Sequence, residues 1–208
     1  MKKMREERRS KTWVAWASIG VLAAAGVVVW QVWPSEVTAV SVPSRVCEDS
    51  LSGVPVRALL PETGKPFSEG YSFGFNPSNT RELKRPGICN LSGGGKSVKI
   101  ETEILRKSEY TMEDVARDAS KSGSTSIVLG STRGFHRGAT ASLFVNCTYH
   151  TGDETQLLSV DVTYEKTTER SDIKEMASLA SDTIRLMAGK IWLCEEAADL
   201  PNGQPQVG

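Results

Sequence analysis

Four cysteines are the residues in this chain with the clearest potential for chemistry. They are Cys47, Cys89, Cys147 and Cys194, in a sequence of 208 residues that has only two histidines. A zinc site needs four converging ligands, usually in close sequence pairs, and no C-x-x-C pair occurs here. An even number of widely spaced cysteines instead favours two disulfides formed in an oxidising compartment. We therefore expect two bridges, no metal site and no cofactor.

Two short motifs resemble catalytic or phosphate-binding signatures without completing them. Gly93–Ser97 reads GGGKS, but Asn90 stands where a P-loop needs its first glycine, and the residues after Val98 alternate like a strand. Ser171 and Lys174 have the spacing of a serine–lysine nucleophile motif, but the companion S-D-N and K-T-G motifs do not occur. The sequence therefore predicts neither nucleotide binding nor catalysis, so that we expect a protein that is not an enzyme.

A basic and aromatic cluster is the candidate for contact with a partner. It consists of Arg133, Phe135, His136 and Arg137, which we place in a glycine-rich loop. The functional interpretation is contact with an anionic or aromatic partner surface, and the structural alternative is a solvated loop. We place His136 and His150 at the surface, at opposite ends of one strand, where about 45 Å separates them if the strand is extended.

The first element of the chain is an uncharged segment from Thr12 to Trp33. Its 22 residues would form a helix of about 33 Å, long enough to cross the hydrocarbon core of a bilayer. Two tryptophans lie near each end, as in the aromatic belts of membrane helices. A cleaved signal peptide is the alternative, although its apolar region usually has about 7–15 residues. We predict a transmembrane helix over residues 12–33.

The distribution of charge orients this helix. Residues 1–11 carry six basic and two acidic side chains, and only Arg45 is basic in the dozen residues after the helix. The positive-inside rule therefore predicts a cytoplasmic N-terminus and an extracytoplasmic C-terminal domain. The other 197 residues hold 19 basic and 23 acidic side chains, which excludes a strongly basic nucleic-acid-binding domain. The expected partner is the membrane, not nucleic acid.

The extracytoplasmic part divides into a linker over residues 34–45, a domain over 46–200 and a flexible tail over 201–208. Gly53 to Leu60 predicts a short helix with Pro55 near its first position. Thr111 predicts the N-cap of a second helix that runs to about Lys121. A third and long helix is predicted over Asp172–Glu196, with Ser171 as its N-cap.

Strands are predicted by alternation of apolar and polar residues. A first hairpin joins Cys89–Leu91 to Val98–Leu105 through a glycine turn, and Ser126–Gly130 predicts a short strand. A second hairpin joins Ala139–Tyr149 to a returning strand that ends at Tyr164. The succession of helices and hairpins predicts an α+β fold with helices packed on an antiparallel sheet.

The same patterns favour one of the three pairings that four cysteines allow. Cys147 belongs to the apolar side of its predicted strand, and Cys194 belongs to the apolar stripe of the last helix. A helix packed on a sheet would bring the two together, within the roughly 7 Å between Cα atoms that a bridge requires. Cys47 and Cys89 would then form the other bridge.

The layout resembles uncharacterised actinobacterial proteins with one membrane anchor and an extracytoplasmic domain that has four cysteines. The supporting segments are Cys47–Leu51, Cys89–Leu91, Asn146–Thr148 and Leu193–Cys194, and the resemblance covers about residues 46–196. It extends more distantly to actinobacterial lipoproteins of unknown function, whose N-terminal anchoring cysteine is absent here. The resemblance implies a cell-envelope location and supplies no catalytic residue.

These observations predict a membrane-anchored binding or interaction domain of the cell envelope, whose partner would be an envelope protein or ligand. One alternative is an extracytoplasmic hydrolase with a dispersed active site. Another is an accessory subunit of a membrane signalling or transport complex, because about 11 cytoplasmic residues are too few for a folded effector module.

Overall fold

The computed structural model describes residues 38–78, 85–148, 155–165 and 169–208, with the side chain of Tyr71 left out. The predicted transmembrane helix and His150 lie outside the described residues. Within the described ranges, no helix is both long and apolar enough to span a bilayer. The chain divides into two units, Met1–Val37 and Thr38–Gly208. All of the described residues belong to the second unit.

This unit contains ten strands and three α-helices among its described residues. The strands are β1 (Arg45–Val46), β2 (Leu51–Ser52), β3 (Ser68–Phe73), β4 (Ile88–Gly93), β5 (Lys96–Leu105), β6 (Ser124–Leu129), β7 (Thr132–Arg137), β8 (Thr140–Thr148), β9 (Thr155–Tyr164) and β10 (Gln206–Val207). The helices are α1 (Val54–Leu59), α2 (Met112–Ala119) and α3 (Arg170–Leu186). A π-helical turn (Met187–Ile191) continues α3, and a 3-10 turn (Glu195–Asp199) follows.

Eight strands form one antiparallel sheet in the order β10-β6-β7-β8-β9-β5-β4-β3. Strands β3 to β5 and β6 to β9 each follow the chain order, and the pairing of β5 with β9 joins these two groups. Strands β1 and β2 form a separate two-stranded ribbon. The predicted α+β fold with an antiparallel sheet and a C-terminal helix is therefore confirmed.

One side of the sheet, here called the inner face, packs against α3. Alternating residues of β8 and β9 point to it, in agreement with the predicted alternation, and they meet the apolar stripe of α3. Fully or almost fully buried members of this core are Cys89, Ile100, Leu143, Val145, Leu158, Val160, Met176, Ala180, Ile184 and Met187.

The opposite side, here called the outer face, is only partly covered. Helix α2 packs there over a small cluster built around Val115, Phe144 and Leu157. Thr111 caps α2 as predicted, because its hydroxyl accepts the N–H of Asp114 while the Asp114 carboxylate accepts the N–H of Thr111.

Strand β7 was not predicted, because its glycine suggested a bend. Gly134 lies within β7, where a Cβ atom would come 2.0 Å from the carbonyl oxygen of Ser142 on β8. Only glycine allows so close an approach of the two backbones. The prediction that residues 133–137 form a loop is therefore wrong.

The last helix is shorter than predicted. Glu169 precedes its first turn without a side-chain cap, so that Ser171 is not the N-cap. The α-helix ends at Leu186, and Leu193 has a left-handed backbone with a φ of 56°. Cys194 thus lies beyond the end of the helix and has an extended backbone conformation.

Two segments predicted as linker and tail carry structure at the edges of the unit. Within the predicted linker, Val42 is buried and the Val40 N–H donates to the carbonyl of Glu62 at 2.8 Å. Within the predicted flexible tail, β10 pairs with β6 through Val207 and Ile127. Tertiary contacts, which local patterns do not report, hold both segments.

Candidate functional site

The cysteines form the two predicted bridges, Cys47–Cys89 and Cys147–Cys194, with Cα atoms 5.7 and 4.7 Å apart. All four belong to the core of the inner face. Among the described residues, no group of three or more His, Cys, Asp or Glu side chains could hold a metal ion. Both bridges thus link separate segments of the described unit within its core.

The first bridge starts in an unusual turn. Cys47, Glu48 and Asp49 have φ values of 53°, 57° and 57°, a left-handed conformation that non-glycine residues adopt infrequently. The carboxylate of Glu69 accepts the N–H groups of Cys47 and Glu48, each at 3.1 Å. The Glu48 carboxylate in turn accepts the N–H of Phe75 at 3.1 Å. Carboxylates and the bridge together hold this turn against the sheet.

Three members of the predicted partner-contact cluster lie on the outer face and make contacts within the chain. Arg137 donates to the Ser124 hydroxyl at 3.0 Å and to the Asp118 carbonyl at 2.6 Å, and its guanidinium lies 4.9 Å from the centre of the Phe135 ring. Arg133 donates to the carbonyls of Gly130 and Thr132, each at 2.8 Å. Arg137 thus ties α2 to the sheet.

The fourth member, His136, points to the opposite face. Its side chain is only 7% exposed, so that the predicted surface position is wrong. Burial lowers the pKa of His136, although a hydrogen bond with the backbone of Gly138 opposes the shift. Its Nε2 atom is buried without a hydrogen-bond partner among the described residues. The cluster is therefore divided between two sides of the sheet.

An open groove lies over α3 in the described unit, with a volume of about 650 Å³. Its floor is the side of α3 that carries Lys174, Glu175, Ser178 and Asp182. One wall comes from the end of β2 and the start of α1, with Ser52, Val54 and Pro55. The other wall is the C-terminal segment, with Gln204, Pro205 and Val207.

Helical spacing explains the polar floor. Lys174, Ser178 and Asp182 recur at four-residue steps, which places them along one side of α3, away from the stripe that Met176 and Ala180 bury. In the first wall, Val54 is 61% exposed, the most exposed large apolar side chain of the described residues. The groove thus combines an apolar rim with a charged floor.

Arg185 connects the floor to the C-terminal wall. Its Nη1 donates to Oδ1 of Asp182 at 2.9 Å, its Nε donates to the carbonyl of Pro201 at 2.8 Å, and its Nη2 donates to the carbonyl of Gly203. Gly130 allows Pro201 to pack closely, because a Cβ there would lie 2.6 Å from the proline Cδ. These contacts set the position of one wall.

Asp182 is one of two acidic side chains on the floor of the groove. Partial burial raises the pKa of its carboxyl above the ordinary value, and the neighbouring Arg185 only partly offsets this effect. Asp182 is thus a partly buried carboxylate of the groove floor that is paired with Arg185.

A second polar feature lies on the outer face at the middle of the sheet. Asp161 on β9 stands directly opposite Glu101 on β5, and the Ser142 hydroxyl donates to its carboxylate. Burial raises the pKa of Asp161, and the negative charge of Glu101 adds to that shift. Lys99 forms an ion pair with Glu101 at 2.7 Å. This row of side chains lies on the face of the sheet and is not part of the groove.

Local sequence patterns do not identify most of the groove residues. Lys174 was noted only as part of a serine–lysine spacing, and Ser171 is an exposed residue of the first turn of α3. Asp182 and Arg185 have the i,i+3 spacing of a helix ion pair, a signal that is too common to identify a site. The lining residues come from three distant segments, which only the folded chain brings together.

Comparison of the chain with protein-family models, curated proteins and solved structures finds no match. The resemblance to actinobacterial envelope proteins therefore remains an expectation. The features of this chain that bear on its function are the groove, the bridges and the charge pattern of the sequence.

Proposed function

We propose that this protein is a membrane-anchored, extracytoplasmic binding domain of the cell envelope, without catalytic activity. The observation that carries the proposal is the groove, whose open shape and mixed lining suit a ligand of moderate size. The residues proposed to bind lie on α3 and its two neighbouring walls. Arg185 is proposed as a positioning residue, because it links the floor to one wall.

The proposed location rests on two further observations. The uncharged segment Thr12–Trp33 follows a basic N-terminus, which is the pattern of a helix with its N-terminus in the cytoplasm. Both bridges belong to the part of the chain that would then lie outside, where disulfides persist. Protease added to cells without their wall should digest residues 34–208 and spare the basic N-terminus. Protection of the large domain would contradict this orientation.

Photo-crosslinking in intact cells tests the binding function. A photoreactive amino acid at Val54, in the groove wall, should form adducts with the partner. Leu193 is the matched control, because it is 58% exposed, close to the 61% of Val54, and does not line the groove. Gln204→Trp, at an exposed position of the opposite wall, should abolish the Val54 adduct by filling the groove. Equal adducts at Val54 and Leu193, or none at Val54, would refute the groove as the binding site.

A separate assay tests the absence of catalysis. The purified protein should not turn over ester, peptide or glycan substrates. Hydrolysis that a single serine or histidine substitution abolishes would favour the hydrolase alternative instead.

A further inference from the structure

We propose that the Cys47–Cys89 bridge is a redox-sensitive latch, which a dithiol reduces in the folded protein and which fixes one wall of the groove over α3. The second bridge, Cys147–Cys194, stays intact under the same conditions. Backbone conformation, the sizes of the two loops and the path of the chain into the groove support this assignment. The consequence for binding rests on the proposed function, whereas the latch itself does not.

The backbone at the first bridge is strained. Among the described residues, only four other than glycine have a positive φ, and three of them are consecutive: Cys47, Glu48 and Asp49. This left-handed conformation is unfavourable, because it brings the Cβ atom too close to the following carbonyl oxygen. The fourth is Leu193, which precedes Cys194, and the backbone of Cys194 itself is extended. Only the first bridge therefore contains a cysteine in the unfavourable conformation.

The two bridges close loops of nearly equal size. Their cysteines are 42 positions apart in the first bridge and 47 apart in the second. The loop-closure contribution to stability changes only with the logarithm of this separation, so that it is almost the same for both. All four cysteines are at most 5% exposed. A difference in how readily the bridges are reduced must therefore come from their surroundings, and strain makes the first bridge the more reducible one.

The turn that carries the strain lies at the surface of the described unit. Cys47 is buried, but Glu48 is half-buried and Asp49 is exposed. Opening the turn breaks two hydrogen bonds, which the N–H groups of Cys47 and Glu48 donate to the Glu69 carboxylate. Such a local opening gives the reductant access to the buried sulfur atoms without unfolding of the whole unit.

Reduction proceeds by thiol–disulfide exchange. A thiolate of the dithiol attacks one sulfur of the bridge, forms a mixed disulfide and releases the other cysteine as a thiolate. The second thiol of the reductant then displaces the remaining cysteine and closes the reductant's own disulfide. Two electrons and two protons thus pass from the dithiol to Cys47 and Cys89. Relaxation of the turn out of the left-handed conformation favours the reduced state.

The strained turn leads directly into the groove. It joins β1 to β2, and the wall residues Ser52, Val54 and Pro55 follow at the end of β2 and the start of α1. The ribbon of β1 and β2 pairs only two residues of each strand, so that backbone pairing alone fixes it weakly. Reduction of the first bridge would therefore loosen this wall, whereas Arg185 would still hold the C-terminal wall to the floor.

Reduction equilibria test the latch. The full chain in lipid nanodiscs is equilibrated with mixtures of reduced and oxidised dithiothreitol, and the free thiols are alkylated after acid quenching and mapped. Cys47 and Cys89 should become free at a ratio of reduced to oxidised reagent about tenfold lower than Cys147 and Cys194 require, as expected for the relief of strain at one residue. Reduction of both bridges together, or of the second bridge first, would overturn the proposal.

A glycine in the turn isolates the contribution of the strain. Asp49 accepts a hydrogen bond from Arg45 through its backbone carbonyl, which glycine keeps. Asp49→Gly should make the first bridge about threefold harder to reduce, because glycine adopts a positive φ without a steric cost. Asp49→Ala is the matched control, since it also lacks the carboxylate but keeps the Cβ atom, and it should not make reduction harder. Equal shifts in the two variants would overturn the proposal.

Hydrogen exchange measures the effect on the groove wall. Selective reduction of the first bridge should make exchange in α1 about tenfold faster and leave α2, on the outer face, unchanged. Unchanged exchange in α1 would overturn the proposed control of the wall. The photoreactive amino acid at Val54 separates this result from the proposed function. Faster exchange in α1 without any Val54 adduct, before or after reduction, would support the latch and refute the groove as the binding site.

Discussion

The two faces of the sheet are built by different means. The inner face lies under a 17-residue helix and contains all four cysteines. The outer face has one eight-residue helix, a cluster of three buried apolar side chains and a polar row that includes Asp161. The inner face therefore combines apolar burial with covalent links, whereas the outer face relies on a capped helix and the contacts of Arg137.

Two adjacent leucines make the comparison direct. Leu157 and Leu158 are neighbours on β9, and their side chains are 1% and 0% exposed, but they point to the outer and inner face respectively. Equal burial does not imply an equal contribution to stability, because the cost of a truncation depends on how well the surroundings can collapse. The face of the sheet, more than the exposed fraction, should decide the energetic cost.

The largest expected effect is that of Leu158→Ala. We expect it to lower the free energy of unfolding by about 4 kcal/mol, because α3 and the bridges hold the cavity open. Leu157→Ala should cost about 2 kcal/mol, since α2 is short and can move into the space. Urea denaturation of both variants measures the difference. Equal losses would refute the distinction between the faces.

Removal of the bridge next to α3 should have the second largest effect. The double variant Cys147→Ala and Cys194→Ala should lose about 3 kcal/mol, since the bridge closes a loop between residues 47 positions apart. The single variant Cys194→Ala should expose Cys147 as the newly reactive thiol, detected by alkylation and peptide mapping. Labelling of Cys47 or Cys89 in its place would contradict the observed pairing.

Loss of the helix cap on the outer face should cost less. Thr111→Ala should lower the free energy of unfolding by about 1 kcal/mol, because it removes the acceptor for the Asp114 N–H. Hydrogen exchange should become faster in α2 and stay unchanged in α3. Thr111→Ser, which keeps the hydroxyl, is the control, and faster exchange in both helices would indicate that the faces are not independent.

The smallest effect concerns pH. The raised pKa of Asp161 stabilises the folded state fully below the ordinary value of 3.8, and this contribution is lost as pH rises through the raised pKa. Asp161→Asn should therefore gain stability relative to the natural chain between pH 3 and pH 7. Asp118→Asn should show the opposite trend, since hydrogen bonds from Lys121 and Tyr110 lower the pKa of Asp118. Parallel thermal melts across this range measure both, and trends of the same sign would contradict the assignment.

The inner face of the sheet could be predicted from sequence, whereas strand β7 and the groove could not. Strict alternation in β8 and β9 predicted the inner face, and because Cys147 and Cys194 both belonged to predicted apolar stripes, their pairing followed even though the helix ends before Cys194. Strand β7 was not predicted, because Gly134 weakens the local strand signal. The glycine is needed only for the close contact with β8. The groove could not be predicted, because its C-terminal wall depends on Arg185. The backbone partners of Arg185 lie about 16 residues further along the chain. The membrane anchor stays a prediction from sequence.

The pairing of β5 with β9 has a consequence for synthesis. The register joins Leu105 to Leu157 and Val98 to Tyr164, so that β5 must wait for a partner more than fifty residues downstream. At roughly 5–20 residues per second, its edge stays unpaired for several seconds after β3 to β5 have been made. Nascent strands with open edges recruit other chains, and charged side chains discourage such recruitment. Lys99, Glu101 and Glu103 occupy alternate positions along β5. These charged side chains would reduce aggregation of the nascent chain during that interval.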